Sequence, residues 1–356
     1  MTQLSLDEIE ALLDGQVDVR RRGNALQPLR LPWAEAGFYD AFNRWVASAA
    51  AGCRVRLATS SQSLKLTATQ RLLDESVGGE RRGAYDLFVD GKLFARAWGE
   101  GGAVINLETG NADGDEAFSV TFADLPAGEK VLELWLPQAA TVSITGLELD
   151  AGASAAPVAD ARPRIVFHGS SITHCLEAEG ASAGWGAVAT GLAGYGHQNL
   201  GWAGSCLLSG QAARIVRDAR ADAIVLKLGI NVHAQGQLKE RTFLDSAHAM
   251  ISIIRERHAR TPMVIASPIF SPGREDDRSG GGPSLRDMRL MLADVVTARQ
   301  RAGDGDIRYL DGLLLFGEDD AHLLPDDLHP NTEGYRLMGE RFHALVLSGE
   351  NALLKA

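Results

Sequence analysis

Three side chains in this sequence have the types and spacing that acyl chemistry on a serine requires. The run Phe167-His168-Gly169-Ser170-Ser171-Ile172-Thr173 puts a serine on a glycine-containing turn directly after the apolar stretch Ile165-Val166-Phe167. Near the C-terminus, Asp326-Asp327-Leu328-His329-Pro330 sets a carboxylate and an imidazole three residues apart. A serine hydroxyl is a poor nucleophile at neutral pH and needs a base, and the base needs a partner that fixes its tautomer and steadies its positive charge. Ser171, His329 and Asp326 therefore read as nucleophile, base and orienting acid acting on an ester. Asp327 adjoins Asp326, and the three-residue spacing to His329 selects Asp326. Ser171 also has a plainer reading, as the N-cap of the helix that follows its turn.

Residues so far apart in sequence meet only if regular elements carry them to one place. From Arg164 onward, apolar strand-like runs (Ile165 to Phe167, Ala223 to Leu228, Met263 to Ala266, Ile307 to Leu310) alternate with helical segments. The clearest helix covers about Glu240 to His258, with Phe243, Leu244, Ala247, Met250, Ile251 and Ile254 on one face at 3.6-residue spacing. Another follows His329, with Tyr335, Met338, Phe342 and Leu345 on one side. Alternating β and α segments imply a parallel sheet covered on both faces, whose ligands sit beyond the carboxyl ends of the strands. Ser171 follows the first strand. Gly204 lies in Asn199-Leu200-Gly201-Trp202-Ala203-Gly204-Ser205, after a short second strand. Asn231 closes Leu228-Gly229-Ile230-Asn231, just past the third, and Asp326 and His329 lie in the loop before the last helix.

These segments resemble the blocks of the SGNH (GDSL) hydrolase superfamily, over roughly residues 164 to 347. Gly169-Ser170-Ser171-Ile172-Thr173 is similar to the Gly-Asp-Ser block, the Asn199–Ser205 turn to the second, Leu228–Asn231 to the Gly-x-Asn block, and Asp326-x-x-His329-Pro330 to the last. The resemblance implies a flavodoxin-like three-layer αβα domain with a parallel sheet. It implies catalysis by Ser171, Asp326 and His329, and an oxyanion hole built from the Ser171 N–H, the Gly204 N–H and the Asn231 amide, with no cofactor and no metal. Ser170 stands where the family block has aspartate, and Val232 where an aspartate follows the block-three asparagine. Neither position supplies the nucleophile, a donor or the base, so the departures bear on subfamily and substrate. Thr173 also breaks the Gly-x-Ser-x-Gly elbow of α/β-hydrolases.

The N-terminal half follows a different period. Leu64 to Thr69, Phe118 to Phe122, Val131 to Leu136 and Val142 to Leu149 alternate apolar and polar residues, and Asp90-Gly91 between Tyr85–Val89 and Lys92–Ala95 is a hairpin signal. Short strands separated by turns predict a β-sandwich, and its placement resembles the jelly-roll-type domain of some family members, carbohydrate esterases among them. The expected organisation is an N-terminal helix over 1–15, with a Ser5-x-x-Glu8 capping box, a β-sandwich over 16–150, a linker over 151–162 and the hydrolase domain over 163–356. Ser271 to Pro283 is the one long loop, read either as a lid or as surface.

A formal charge of -11 and the lack of any basic run beyond Arg20-Arg21-Arg22 argue against a nucleic-acid partner. No secretory signal and no apolar run of membrane-spanning length are visible, so the expectation is a soluble cytoplasmic protein without a membrane partner. Cys53, Cys175 and Cys206 have neither disulfide-framework nor zinc spacing. His168, His174, His197 and His233 lack a metal-site pattern and read as structural or pocket-lining. Lys227, inside an apolar strand, reads as edge-exposed, and Trp98, Trp135 and Tyr85 as core aromatics rather than sugar-stacking ones. Two enzymatic functions fit: an esterase on a carbohydrate or other small polar ester, or an acyltransferase on the same three side chains. A carbohydrate-binding module fused to a decayed hydrolase is disfavoured by the intact serine, glycine, asparagine, aspartate and histidine set.

Overall fold

The computed structural model describes residues 1–74, 83–106, 111–350 and 352–354. The chain divides into two compact units, one of residues Met1–Ala161 with Glu177–Ser182 and one of Arg162–Leu176 with Ala183–Ala356.

The first unit is built from two sheets. In one, Leu64–Asp74 pairs antiparallel with Ala140–Leu149 and with Ala117–Phe122. In the other, Lys130–Trp135 lies between Arg54–Thr59 and Tyr85–Val89, both antiparallel. Period-2 alternation turns Leu64, Leu66, Val142 and Ile144 of one sheet, and Val55, Leu57, Leu132 and Leu134 of the other, into a single buried core. The strands Tyr85–Val89 and Lys92–Ala97 form the expected hairpin, and Asp90 (φ 49) and Gly91 (φ 79) supply its two positive dihedrals. Tyr85 and Trp135 are buried in this unit.

The N-terminal helix is shorter than its sequence signal. Leu6–Ala11 is helical and the Ser5/Glu8 capping box is present. On either side, Thr2–Gln3 pairs with Leu149 and Glu148, and Leu13–Asp14 with Val55 and Arg54. Residues 177–182 group with this unit because the buried Asp86 carboxylate accepts from the Ser182 N–H (3.1 Å) and hydroxyl (2.6 Å), while Arg96 bridges Asp86 and Glu179.

The second unit has one parallel sheet. Its strands are β1 (Arg164–Gly169), β2 (Gly196–Asn199), β3 (Ala223–Lys227), β4 (Met263–Ala266) and β5 (Ile307–Leu310), in spatial order β2-β1-β3-β4-β5. Ile165 to Phe167, Ala223 to Leu226 and Met263 to Ala266 are all buried, as a sheet covered on both faces demands. The helices that matter to the site are α1 (Ser171–His174), α2 (Ile230–Gln235), α3 (Glu240–Arg255), α4 (Leu285–Arg301) and α5 (Thr332–Phe342). On α3, Phe243, Ala247, Met250, Ile251 and Ile254 are buried at the predicted spacing.

Two expectations about single residues fail here. Leu345 is 45% exposed, because α5 runs into a π-helical turn over His343–Leu347 that shifts the phase and buries Val346 and Leu347 instead. Lys227 is not at an edge: β3 is paired on both sides, and the side chain is 1% exposed. Among the described residues no helix is long and apolar enough to cross a membrane.

Candidate active site

Strand β1 ends at Gly169, and the chain turns at once into α1. A Cβ on Gly169 would lie 2.3 Å from the Thr173 hydroxyl and 2.8 Å from the Lys227 carbonyl oxygen, so this close approach of strand and helix requires glycine. The N-cap of α1 is Ser170, whose backbone is extended and whose hydroxyl oxygen accepts from the Ile172 N–H at 3.3 Å. The capping role read for Ser171 thus belongs to its neighbour. Ser171 is the first helical residue, and its hydroxyl lies 2.8 Å from His329 Nε2. Its own N–H, in the first turn of a helix, has no intrahelical acceptor.

His329 is held by Asp326 at two points. Asp326 Oδ2 lies 2.6 Å from His329 Nδ1, while Oδ1 accepts from the backbone N–H groups of Leu328 (3.0 Å) and His329 (2.7 Å). A ring nitrogen facing a carboxylate carries the proton, which leaves Nε2 as the acceptor for the Ser171 hydroxyl. Burial works to raise the Asp326 pKa, but the hydrogen bonds from the His329 ring and backbone outweigh it and hold the carboxyl at about 2. Asp327 is turned aside: its backbone is left-handed (φ 61), and its carbonyl accepts from the Ser271 hydroxyl at 2.6 Å and from Arg274 Nη1 at 3.0 Å.

The turn after β2 packs directly against α1. The Leu200 and Trp202 N–H groups donate to the carbonyls of Phe167 and Gly169, each at 2.7 Å. The Asn199 side chain accepts from the Gly201 N–H and donates to the Thr173 carbonyl, each at 2.8 Å. Gly204 has φ 67 and its carbonyl accepts from the Gln235 amide; among the described residues none accepts its N–H.

Asn231 is the second residue of α2 and is 7% exposed. Its Oδ1 accepts from the Cys206 N–H at 3.0 Å, so the amide nitrogen, with two N–H donors, faces the other way. Among the described residues neither Gly204 nor Asn231 is hydrogen-bonded to Ser171 or His329. The structure thus joins Ser171, His329 and Asp326 directly, and sets Gly204 in the turn after β2 and Asn231 in the first turn of α2, after β3, at the same carboxyl edge of the sheet.

Two residues of this arrangement have no role in the motif reading. Asn199 closes β2 and ties the turn to α1, and an asparagine at a strand end ahead of a glycine is its only signal. Cys206 orients Asn231 through its backbone N–H, which no side-chain pattern can announce. The histidines are occupied in other ways. His168 Nδ1 lies 2.8 Å from the Leu200 carbonyl oxygen, His174 Nδ1 accepts from the Ala203 N–H at 3.4 Å, and His197 packs on Phe167. His233 Nδ1 lies 3.4 Å from the Pro283 carbonyl oxygen.

In chemical terms the cluster offers a hydroxyl, an acceptor nitrogen in contact with it and a carboxylate behind the ring, and the same sheet edge carries the Gly204 and Asn231 N–H donors, which no acceptor engages among the described residues. Those are the parts that nucleophilic attack on a carbonyl uses.

Comparison with known proteins bears on the family of the second unit. Residues 167–337 match the GDSL-like lipase/acylhydrolase family. No curated protein sequence matches the chain. Among solved structures, the salicylyl-acyltransferase SsfX3 from a tetracycline biosynthetic pathway is 28% identical, over 93% of this chain and 92% of that one, with a TM-score of 0.80. A putative GDSL-like lipase from Bacteroides ovatus is 17% identical over 96% and 95% of the two chains, with a TM-score of 0.74. A family two carbohydrate esterase from Clostridium thermocellum, solved with cellohexaose, is 17% identical over 83% and 92%, with a TM-score of 0.62. At 17% identity, the last two bear on fold alone.

Proposed function

Residues 167–337 are a GDSL-like lipase/acylhydrolase domain of an ester-hydrolysing enzyme, and from that premise we propose that the chain is a serine esterase working through an acyl-enzyme on Ser171. The observation that carries this reading is the unbroken series Asp326 Oδ2–His329 Nδ1 at 2.6 Å and His329 Nε2–Ser171 Oγ at 2.8 Å.

In the proposed mechanism His329 Nε2 takes the hydroxyl proton as Ser171 Oγ bonds to the ester carbonyl carbon. The carbonyl oxygen becomes an oxyanion and is met by the Ser171 N–H, the Gly204 N–H and the Asn231 amide. Such donors act where charge grows only in the transition state, and each is worth about 10²–10³-fold in rate. Asp326 stays ionised and stabilises the imidazolium. His329 then gives its proton to the leaving alcohol, the C–O bond breaks, and the acyl group remains on Ser171. A water molecule, deprotonated by the same imidazole, resolves the acyl-enzyme. The substrate class proposed is a short acyl ester of a carbohydrate or other small polar molecule.

A second reading, transfer of the acyl group to an alcohol other than water, is favoured by one observation: similarity to the salicylyl-acyltransferase along 93% of this chain. Hydrolysis of p-nitrophenyl acetate and butyrate, measured beside Ser171→Ala and His329→Ala, tests the main reading. Turnover lost in both variants supports it. Turnover that survives in Ser171→Ala overturns it.

A further inference from the structure

The left-handed residue between acid and base is held from outside its own loop. Asp327 is at φ 61, and its carbonyl accepts from the Ser271 hydroxyl (2.6 Å) and Arg274 Nη1 (3.0 Å). Arg274 Nη1 also donates to Ser271 Oγ at 3.0 Å, so the two donors support each other. Their segment is itself fixed. The Ser271 N–H donates to Glu275 Oε1 (3.2 Å), and Glu275 forms a two-point pair with Arg289 of α4, at 2.6 and 2.8 Å. Arg289 is 6% exposed and also donates to the carbonyls of Pro268 and Ile269, just past β4. A bidentate guanidinium–carboxylate pair fixes direction as well as distance.

We infer that Ser271, braced by Arg274 and by the Glu275–Arg289 pair, is a positioning residue for His329. By holding the Asp327 carbonyl it maintains the turn in which Asp326 reaches both the backbone and the ring of His329. A non-glycine residue in the left-handed region persists there because its surroundings hold it, and removing a holding contact loosens that conformation. Loss of the Ser271 hydroxyl therefore lengthens the Asp326–His329 contact rather than altering substrate binding. The inference rests on the esterase reading for its kinetic consequences, but the geometry it asserts does not.

The experiment compares the full chain with Ser271→Ala, Ser271→Thr and Arg274→Met. A short Nδ1–H···carboxylate bond gives a low-field proton resonance, which reads the Asp326–His329 contact without any substrate. That resonance is expected to broaden or move upfield in Ser271→Ala and Arg274→Met, and to return in Ser271→Thr, with melting temperatures close to the parent. On p-nitrophenyl acetate, kcat is expected to fall about tenfold in Ser271→Ala with KM within twofold. The acid limb of kcat/KM should move to lower pH, because an imidazole less well supported by a carboxylate loses its proton more readily. An unchanged resonance and acid limb in Ser271→Ala overturn the inference even where the parent is active. A resonance that responds as described in a chain whose Ser171→Ala variant hydrolyses as fast as the parent removes the esterase reading and leaves the brace standing.

Discussion

One carboxylate grips both ends of His329: Asp326 Oδ1 accepts the backbone N–H at 2.7 Å, and Oδ2 faces the ring Nδ1 at 2.6 Å. The backbone contact sets where the residue sits, and the ring contact sets which nitrogen is protonated.

Replacement of Asp326 by asparagine keeps the shape and removes the charge. An amide at this position favours the wrong tautomer, and kcat is expected to drop about 10³–10⁴-fold with a smaller change in KM. The pH dependence separates the two groups of the pair. With Asp326 held at about 2 against about 3.9 for an unfolded aspartate, the proposed base His329 is expected to set the acid limb of the rate. The stabilisation Asp326 gives the fold is present above pH 4 and is lost as pH falls toward 2. Thermal melts between pH 5 and 2, parent against Asp326→Asn, should converge at the acid end.

Ser170 caps α1 while the adjacent Ser171 hydroxyl faces His329, and single alanine substitutions should separate the two. Ser170→Ala removes the hydroxyl that accepts the Ile172 N–H and is expected to cost about 1 kcal/mol of stability, with most of the turnover kept. Ser171→Ala should leave the melting temperature near that of the parent and abolish turnover. Denaturant titration and ester hydrolysis on the two variants provide both readouts.

Lys227 presents a buried ammonium in the central part of a sheet, and among the described residues its Nζ has no hydrogen-bond partner. Burial lowers its pKa from 10.5 to about 8. The unfolded chain then binds the proton more tightly than the folded one, so the penalty is full below pH 8 and disappears as pH rises toward 10.5. By linkage it is on the order of 3 kcal/mol. Lys227→Met should therefore raise stability at pH 7, and the gain should shrink steadily in melts taken from pH 8 to pH 10. An equal gain at both ends of that range would mean that side-chain packing, not charge, sets the effect.

How much of this was legible in the sequence differs by kind of feature. Period and turn chemistry are local, and they gave the parallel-sheet strands, the α3 core face and the Asp90-Gly91 hairpin. Strand ends followed by Ser171, Gly204 and Asn231 were equally readable, because a parallel sheet sends its loops to one edge. Contacts between distant loops leave no period. The Cys206 N–H on Asn231, the Ser271 hydroxyl on the Asp327 carbonyl and the grouping of residues 177–182 with the first unit all fall in that class. Lys227 was misread for a related reason: a charge in an apolar run signals an edge only on average, and strand order decides the case.

Peptide mapping by mass spectrometry after reaction with a fluorophosphonate tests directly whether Ser171 is a nucleophile. One adduct is expected, on Ser171, formed more slowly in His329→Ala and absent in Ser171→Ala. A chain that stays unmodified, or that carries its adduct on another residue, contradicts that role.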